Sequence, residues 1–256
     1  MNSNSIINRA FRKLKKKGIV VLVRDSLIFL KMNSILSILL PYAIYKLKRL
    51  RTNDIHELTE FCFNGICGLI KPGQVREEII DLLEAVKKVE PMVAIEIGTA
   101  MGGTLFLFCR TAAETATIIS VDLPGGEFGG GYSSLRLPLY RAFKLPKQQI
   151  HLIRADSHKK ATLQQVKGLL DGAKADFLFI DGDHSYHGVK MDFEMFSPLV
   201  KDGGLIAFHD VVLHPANTGC EVSKFWEEIK ERYECVEFVS DWGQAWAGIG
   251  TIRWRM

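Results

Sequence analysis

The chain has 256 residues, of which 47% are hydrophobic and 24% are charged, and its formal net charge is +4. These values exclude a disordered chain and a small disulfide-stapled scaffold, and they indicate one large globular domain with or without an appendage. The five cysteines show no metal-like or redox-like spacing, so we expect reduced thiols in a reducing compartment.

Positive charge is concentrated in the first part of the chain. Residues 1–52 hold twelve Lys/Arg and one acidic residue, a net +11, which leaves −7 on the rest of the chain. Basic clusters at 12–17 and 46–51 flank an apolar stretch at 26–45. This asymmetry predicts that residues 1–52 meet an anionic surface, for example the inner face of a membrane.

The apolar stretch at 26–45 is interrupted by Lys31, Asn33 and Pro41. Its uninterrupted part is shorter than the ~20 residues that a membrane-spanning helix needs, so a true span is the less favoured alternative. We expect residues 1–70 to form a basic, apolar helical segment that either lies on an anionic leaflet or docks as a cap on the main domain. The protein is expected in the cytoplasm, free or peripheral on the membrane.

Residues 71–256 alternate between short apolar runs and helical patterns. This alternation predicts βαβ units and a parallel sheet that is covered on both faces. The last two runs, 233–240 and 247–254, have a short connection and are expected to pair antiparallel at an edge. The five predicted parallel strands are 93–97, 117–121, 150–155, 176–180 and 204–210. One helix is predicted to begin at about residue 103, a second to follow the third strand and end at about residue 170, and a third to cover about 221–232.

Acidic residues fall at or next to the carboxyl end of each predicted parallel strand. Any one of them could be a helix N-cap, as short acidic side chains often are. In an open α/β sheet, however, ligands bind beyond the carboxyl ends of the strands. Together they predict a polar ligand, a metal ion, or both at this edge. The five carboxylates are Glu96, Asp122, Asp156, Asp181 and Asp210.

The turn after the first strand, "EIGTAMGGT", is rich in glycine. Gly98, Gly102 and Gly103 allow the backbone to approach a ligand closely, and the following helix points its N-terminus at that ligand. The turn fits neither the G-x-G-x-x-G dinucleotide fingerprint nor a P-loop. Asp122 ends the second strand, where an acidic side chain would accept hydrogen bonds from ribose hydroxyls.

Five segments in this order resemble class I S-adenosylmethionine-dependent methyltransferases: "EIGTAMGGT", "VDLPGG", "RADSH", "FLFIDGDHSYHGVKMD" and "GGLIAFHD". The resemblance covers about residues 90–250 and is closest to the O-methyltransferase group with macrocin-type, rhamnosyl and cephalosporin-hydroxylase-like proteins. It implies a Rossmann-like, doubly wound, mostly parallel α/β sheet of seven strands with an antiparallel last strand. Residues 71–256 would be the methyltransferase domain, behind an N-terminal helical segment.

The resemblance also implies the cofactor, S-adenosyl-L-methionine, and its binding residues. Asp122 would hold the ribose hydroxyls, while Asp156 and Ser157 would lie near the adenine. An acidic pocket suits a sulfonium cation with a free amino group, whereas a pyrophosphate would be repelled. The full implied cofactor set is Glu96, Gly98, Thr99, Gly102, Gly103, Thr104, Asp122, Asp156, Ser157 and Asp181.

Related enzymes bind a divalent ion through the aspartate after the fourth strand and an acidic pair after the fifth. Asp181 and Asp210 match these positions, but His209 stands where some relatives have a glutamate. The implied metal set is therefore Asp181, His209 and Asp210, with Mg²⁺ or Mn²⁺ as the ion; an imidazole would tolerate Mn²⁺, Fe²⁺ or Zn²⁺ better than Mg²⁺. His184 matches the position proposed for the base, and with Asp181 it is the implied catalytic pair. The alternative for His184 is an ordinary histidine in the first turn of a helix.

Several further residues have weaker expectations. A zinc site of His184, His187 and His209 is conceivable, His158 is expected at a helix start, and Asp183 is expected to cap a helix. The glycine-rich stretch at 124–136 is expected to be a surface loop or a lid over the ligands. Two of its side chains could touch the acceptor, Tyr132 and Arg136.

These features favour a metal-assisted O-methyltransferase acting on a hydroxyl of a sugar or of a glycosylated or secondary metabolite. A nicotinamide-dependent oxidoreductase on a similar sheet and a non-catalytic, membrane-associated scaffold are the alternatives. The expected partner is a small-molecule or glycan hydroxyl acceptor. No nucleic-acid motif is present in the sequence, and a homo-oligomer is compatible with it.

Overall fold

The computed structural model describes residues 38–126 and 131–255. The chain divides into two compact units, Met1–Lys46 and Leu47–Met256. The described residues of the first unit, 38–46, are helical. This helix continues past the division and ends at residue 49. The expectations for residues 1–37, including contact with a membrane, lie outside the described residues. Within the described ranges, no helix is long and apolar enough to cross a membrane.

The second unit is built from seven strands and seven α-helices in the part of the chain that is described. The strands are β1 Val93–Ile97, β2 Thr117–Asp122, β3 Gln149–Arg154, β4 Ala175–Ile180, β5 Val200–His209, β6 Cys235–Phe238 and β7 Ile249–Arg253. The helices are α1 Ile55–Asn64, α2 Arg76–Val89, α3 Gly103–Thr111, α4 Leu137–Arg141, α5 Lys160–Leu170, α6 Tyr186–Phe196 and α7 Val222–Ile229. Short 3₁₀ turns cover Ser134–Arg136, Ser197–Leu199, Ala216–Thr218 and Lys230–Arg232.

The strands form one sheet in the order β3-β2-β1-β4-β5-β7-β6. β1 to β5 are parallel, whereas β7 is antiparallel to both β5 and β6. The predicted fold class and the antiparallel edge pairing are therefore confirmed. The strand order reverses between β1 and β4, and this switch point is where an open α/β sheet opens a crevice for a ligand.

Apolar side chains cover both faces of the central strands. Every residue of β4 is buried, as a run of apolar residues in a central parallel strand predicts. On one face, Phe177 and Phe179 contact the ring of Phe108 in α3, with centroids 4.9 and 5.2 Å away. On the other face, Leu178 belongs to a buried cluster with Trp226 of α7. Each such side chain contributes about 1.5–3 kcal/mol by leaving water.

The expected boundary between residues 70 and 71 does not coincide with the division of the structure. Helix α1 belongs to the second unit because it packs on α3. The Cys62 thiol lies 3.2 Å from the carbonyl oxygen of Ile70 and 3.5 Å from that of Gly103, and the rings of Phe61 and Phe106 are 5.7 Å apart. Residues 47–70 thus share a core with the sheet-forming part of the chain.

Candidate active site

A cavity of about 820 Å³ lies at the carboxyl ends of the parallel strands. The ends of β1, β2, β4 and β5 and the segment after β3 contribute Gly98, Asp122, Asp156, Asp181 and Asp210 to its wall. Four of the five predicted strand-end carboxylates thus line one cavity. The parallel register of the sheet explains the grouping, because it brings the ends of neighbouring strands to the same edge.

The turn after β1 is held tightly against the end of β4. Gly98 has φ +93°, and a Cβ atom there would lie 1.8 Å from the carbonyl oxygen of Asp181. The backbone N–H of Gly98 donates to Val121 at 2.8 Å, and that of Asp181 donates to Ile97 at 2.8 Å. Only glycine fits this position, so the turn and the β4 end form one rigid wall of the cavity.

Asp122 joins the end of β2 to the same turn. Its Oδ2 accepts the backbone N–H of Thr99 at 3.0 Å and that of Ala100 at 2.7 Å. Burial raises the pKa of Asp122 to about 6, although the backbone donors of Ala100, Thr99 and Gly131 favour the charged form. The carboxylate is therefore fixed in place where it faces the cavity.

Glu96 is buried beneath the cavity and is not part of its wall. Both of its oxygens are engaged, one by the Thr104 hydroxyl at 2.5 Å and the other by the Ser120 hydroxyl at 2.7 Å. Burial raises the pKa of Glu96 to about 8 against these two hydrogen bonds. The side chain supports the turn from below.

Eight of the ten residues implied for cofactor binding line the cavity, whereas Glu96 and Gly102 do not. Gly102 is turned away, because a Cβ atom there would lie 2.6 Å from the ring of Tyr140. The eight on the wall are Gly98, Thr99, Gly103, Thr104, Asp122, Asp156, Ser157 and Asp181.

Two carboxylates and two imidazoles meet at the ends of β4 and β5. His209 Nδ1 lies 3.2 Å from Asp181 Oδ1 and 3.2 Å from Asp210 Oδ1. His184 Nδ1 lies 3.0 Å from Asp210 Oδ2, and its Nε2 lies 3.4 Å from Asp181 Oδ1. The structure thus brings together all four residues predicted for the metal and the proton transfer.

The charges of this cluster depend on one another. Burial disfavours each imidazolium, but the carboxylates outweigh it and raise the pKa of His184 to about 12 and that of His209 to about 10. Burial also opposes the charge on Asp181 and Asp210, and the two histidines nevertheless lower the pKa of both carboxyl groups. The two aspartates are held ionised by positive charge, which a divalent cation could supply in place of the imidazolium protons.

Three further residues contact this cluster, and the sequence interpretation did not include them. Gln74 donates from Nε2 to Asp181 Oδ2 at 2.8 Å. His214 Nε2 lies 3.2 Å from Asp210 Oδ1, and the Cys220 thiol lies within 4.8 Å of donor atoms of His184 and Asp210. Gln74 precedes α2 and the other two follow β5, so no local sequence pattern connects them to the strand-end aspartates.

The structure corrects three details of the "DGDHSYHG" segment. Ser185, rather than Asp183, is the N-cap of α6; its hydroxyl accepts the N–H of Gly188 at 3.0 Å, and Asp183 accepts from the Ser185 N–H and hydroxyl. His184 consequently precedes the helix instead of lying in its first turn. His187 is exposed and belongs to neither of the two described groups that could hold a metal, so the conceivable three-histidine zinc site does not assemble.

His158 precedes α5 rather than starting it, and it lines the cavity. Its Nε2 lies 3.3 Å from Asp192 Oδ1, and Asp192 is fully buried in α6. The two acceptor candidates in the loop after β2 do not line the cavity. Tyr132 packs on Tyr140, with ring centroids 4.8 Å apart, and Arg136 donates to the carbonyl oxygen of Leu69 at 2.9 Å.

The sheet order and the acidic cavity at its switch point define a class I S-adenosylmethionine-dependent methyltransferase fold. Residues 95–211 match a family model described as "Methyltransferase domain". The match begins in β1 and ends just beyond Asp210. It thus contains the ends of β1, β2, β4 and β5 and the segment after β3, all of which line the cavity.

Solved structures with the same fold include an O-methyltransferase from Bacillus cereus in complex with SAH. That chain is 18% identical, with a TM-score of 0.52 over 80% of this chain and 93% of the other. The O-methyltransferase TomG from Streptomyces achromogenes, in complex with SAM, is 15% identical with a TM-score of 0.52 over 81% and 92%. At these identities the likeness establishes the fold.

Two curated relatives are each 29% identical to this chain. They are "Uncharacterized protein y4gI" of Sinorhizobium fredii, over 148 residues, and "Uncharacterized protein R132" of Acanthamoeba polyphaga mimivirus, over 124 residues. The matches cover 56% and 47% of this chain but only 16% and 52% of the relatives. This chain therefore corresponds to a part of each relative.

Proposed function

We propose that the protein is an S-adenosylmethionine-dependent O-methyltransferase that acts on a hydroxyl of a sugar or of a glycosylated or secondary metabolite with the help of a divalent cation. The observation that carries this proposal is the convergence of Asp181, His184, His209 and Asp210 on the cavity that Gly98 and Asp122 also line. The solved O-methyltransferases with SAH and SAM support the choice of cofactor.

The cofactor-binding half of the cavity is the part formed by β1, β2 and the segment after β3. S-adenosylmethionine supplies an electrophilic methyl group and its own leaving group. The turn at Gly98, Asp122, Asp156 and Ser157 line this half of the cavity, and Asp122 would accept hydrogen bonds from the ribose hydroxyls. These carboxylates favour a ligand that carries positive charge.

The residues present fit a divalent cation. Ligand atoms of Asp181, His209 and Asp210 lie within 4.8 Å of one another, and two of the three donors are carboxylates that are held ionised. The imidazole makes the set better suited to Mn²⁺ or another transition metal than to Mg²⁺, which prefers oxygen ligands. Such an ion lowers the pKa of a bound hydroxyl and orients it.

His184 is the candidate base because of its place between the two carboxylates. Its Nδ1 lies 3.0 Å from Asp210 Oδ2 and its Nε2 lies 3.4 Å from Asp181 Oδ1, so the ring stands beside the proposed metal ligands and lines the cavity. Asp210 orients the ring, and a cation bound by Asp181 and Asp210 would offset the two negative charges that raise the pKa of His184 to about 12. The neutral form of His184 would then take the acceptor proton.

Transfer of an isotopically labelled methyl group tests the proposal. The purified protein would be incubated with trideuteromethyl-labelled S-adenosylmethionine, Mn²⁺ and a small-molecule extract of a strain that lacks the gene. We expect mass spectrometry to find a metabolite that gains one labelled methyl group. Asp181→Ala and His184→Ala should each lower its formation by about 100-fold or more. Full activity in both variants would rule out the proposed mechanism.

A parallel thermal-shift screen distinguishes the methyltransferase from the alternative, a nicotinamide-dependent oxidoreductase. Stabilisation by S-adenosylmethionine but not by NADH or NADPH is expected, because a ligand that binds the folded state raises the melting temperature. Contact of residues 1–52 with an anionic membrane stays a prediction, which liposome sedimentation of the full chain and of a chain without these residues would test.

A further inference from the structure

The loop between β6 and β7, residues 239–248, borders the candidate active site. Trp246 in this loop lines the cavity and has 45% of its surface exposed. Trp242, in the same loop, is 54% exposed but does not line the cavity. A large aromatic side chain left half exposed on the wall of a cavity is a feature that a ligand would cover.

The sheet order places this loop on the side of the cavity away from the cofactor residues. Ile249, the first residue after the loop, pairs with His209 in the register of β5 and β7. β2 and β3, which lead to Asp122 and Asp156, lie at the opposite end of the sheet order. The loop therefore flanks the Asp181–Asp210 cluster on the side where an acceptor would reach it.

A buried carboxylate fixes the shape of the loop. Glu78 of α2 is 1% exposed and accepts three hydrogen bonds from the loop. The donors are the N–H of Ser240 at 3.0 Å, the Gln244 amide at 2.8 Å and the N–H of Gly248 at 2.9 Å. A buried carboxylate is costly unless it is hydrogen-bonded, so these bonds hold the loop against α2.

The loop is also tied to the segment that follows Asp210. The N–H of Val212 donates to Ala247 at 3.0 Å, and the N–H of Val211 donates to Gly248 at 3.3 Å. Two alanines of the loop, Ala245 and Ala247, have φ of +60°, a conformation that residues with a Cβ atom adopt only when their surroundings impose it. Trp246 lies between them, so its position relative to Asp210 is imposed by the fold.

We propose that Trp246 is the platform on which a ring of the acceptor stacks, and that Glu78 is a positioning residue for this platform. The acceptor would present the apolar face of a six-membered ring, either of a sugar or of an aromatic compound, with its hydroxyl directed at the Asp181–Asp210 cluster. This assignment rests on the proposed function of the cavity. An indole offers a large, rigid surface at a small entropic cost, which suits this task.

Ligand-observed NMR with simple probes tests the platform independently of methyl transfer. Catechol and methyl glucopyranoside would be titrated into the full chain saturated with S-adenosylhomocysteine. We expect at least one probe to bind, and the one that binds identifies the ring class. Trp246→Leu should lower the affinity for that probe by about tenfold, and the matched Trp242→Leu should leave this affinity unchanged.

Glu78→Gln tests the positioning role. This change places an amide against N–H donors, so we expect weaker binding of the same probe together with unchanged affinity for S-adenosylhomocysteine. A general loss of stability would instead affect both ligands. If Glu78→Gln does not fold, the comparison of Trp246→Leu with Trp242→Leu still tests whether Trp246 is the platform.

Three results would overturn the platform: neither probe binds, Trp246→Leu binds as tightly as the wild type, or Trp242→Leu loses as much affinity as Trp246→Leu. Failure of the wild type to bind S-adenosylhomocysteine at all is a different outcome. That result would contradict the proposed function rather than the assignment of Trp246.

Discussion

A Cβ atom on residue 98 would lie 1.8 Å from the carbonyl oxygen of Asp181, so Gly98 and Asp181 are in direct backbone contact. Gly98 begins the turn that is proposed to bind the cofactor, and Asp181 begins the cluster that is proposed to hold the metal. If both proposed roles hold, this contact would help to set the distance between the methyl donor and the acceptor hydroxyl, on which an in-line transfer depends.

Gly98→Ala should therefore abolish folding or cofactor binding. The Cβ atom has no space, and φ of +93° is strained for any residue with a Cβ atom, so we expect a loss of about 4 kcal/mol or more in the free energy of unfolding. Gly172→Ala is the matched control. Its φ is +83° and nothing lies within 4 Å of the added atom, so only the strain of about 1–2 kcal/mol should appear. Equal losses of unfolding free energy in Gly98→Ala and Gly172→Ala, measured by urea denaturation, would contradict the contact between Gly98 and Asp181.

The buried Glu96 should make the stability of the protein depend on pH. Its pKa is about 8 when folded, against about 4.3 when unfolded, so between these values the folded state holds a proton that the unfolded chain has lost. The stabilisation is complete below about pH 4.3 and decreases as pH rises to about 8, by up to about 1.4 kcal/mol per pH unit.

Glu96→Gln should remove this contribution to the pH dependence, since the amide does not titrate, and should leave the contributions of Asp122, His184 and His209. Urea denaturation between pH 5 and 8 would measure the pH dependence of the free energy of unfolding. Glu84→Gln, which changes an exposed carboxyl group on α2, is the control and should follow the wild type. An unchanged slope in Glu96→Gln would show that this carboxyl group is already ionised in the folded protein at these pH values.

Gln74 should control metal affinity without being a ligand. It donates to Asp181 Oδ2 at 2.8 Å and is buried, so it orients the carboxylate that is proposed to bind the ion. Gln74→Leu should weaken Mn²⁺ binding by about 10- to 100-fold, as changes beside metal ligands do. Calorimetry with Mn²⁺ would measure this, and Gln164→Leu, on the exposed face of α5, should bind as the wild type does. Equal affinities in all three proteins would exclude this role.

The sequence predicted the fold and the edge of the sheet where the cavity lies. Short apolar runs identified the parallel strands. The acidic residues at their ends, such as Asp122 and Asp181, were expected to lie close together because the carboxyl ends of parallel strands share one edge of the sheet. The beginning of β5 was missed: residues 201–203 are exposed and polar, so no hydrophobic pattern reveals that the strand starts at Val200.

The residues that surround the cluster could not be predicted from local patterns. Gln74 and Asp181 are 107 positions apart, and Glu78 and Gly248 are 170 apart. Such pairs form only when the whole chain has folded. The sequence also did not reveal in which direction a side chain points. Glu96 lies near the end of β1, as expected, yet its carboxylate points beneath the cavity toward Thr104 and Ser120.

Calorimetric titration with S-adenosylmethionine tests the central claim most directly. The folded wild-type chain should bind one equivalent. Asp122→Asn should bind about 10- to 100-fold more weakly, because it keeps an oxygen for the N–H groups of Thr99 and Ala100 but loses the charge that is proposed to accept from the ribose hydroxyls. A folded wild-type protein that binds no S-adenosylmethionine, or an Asp122→Asn variant that binds as tightly as the wild type, would contradict the account.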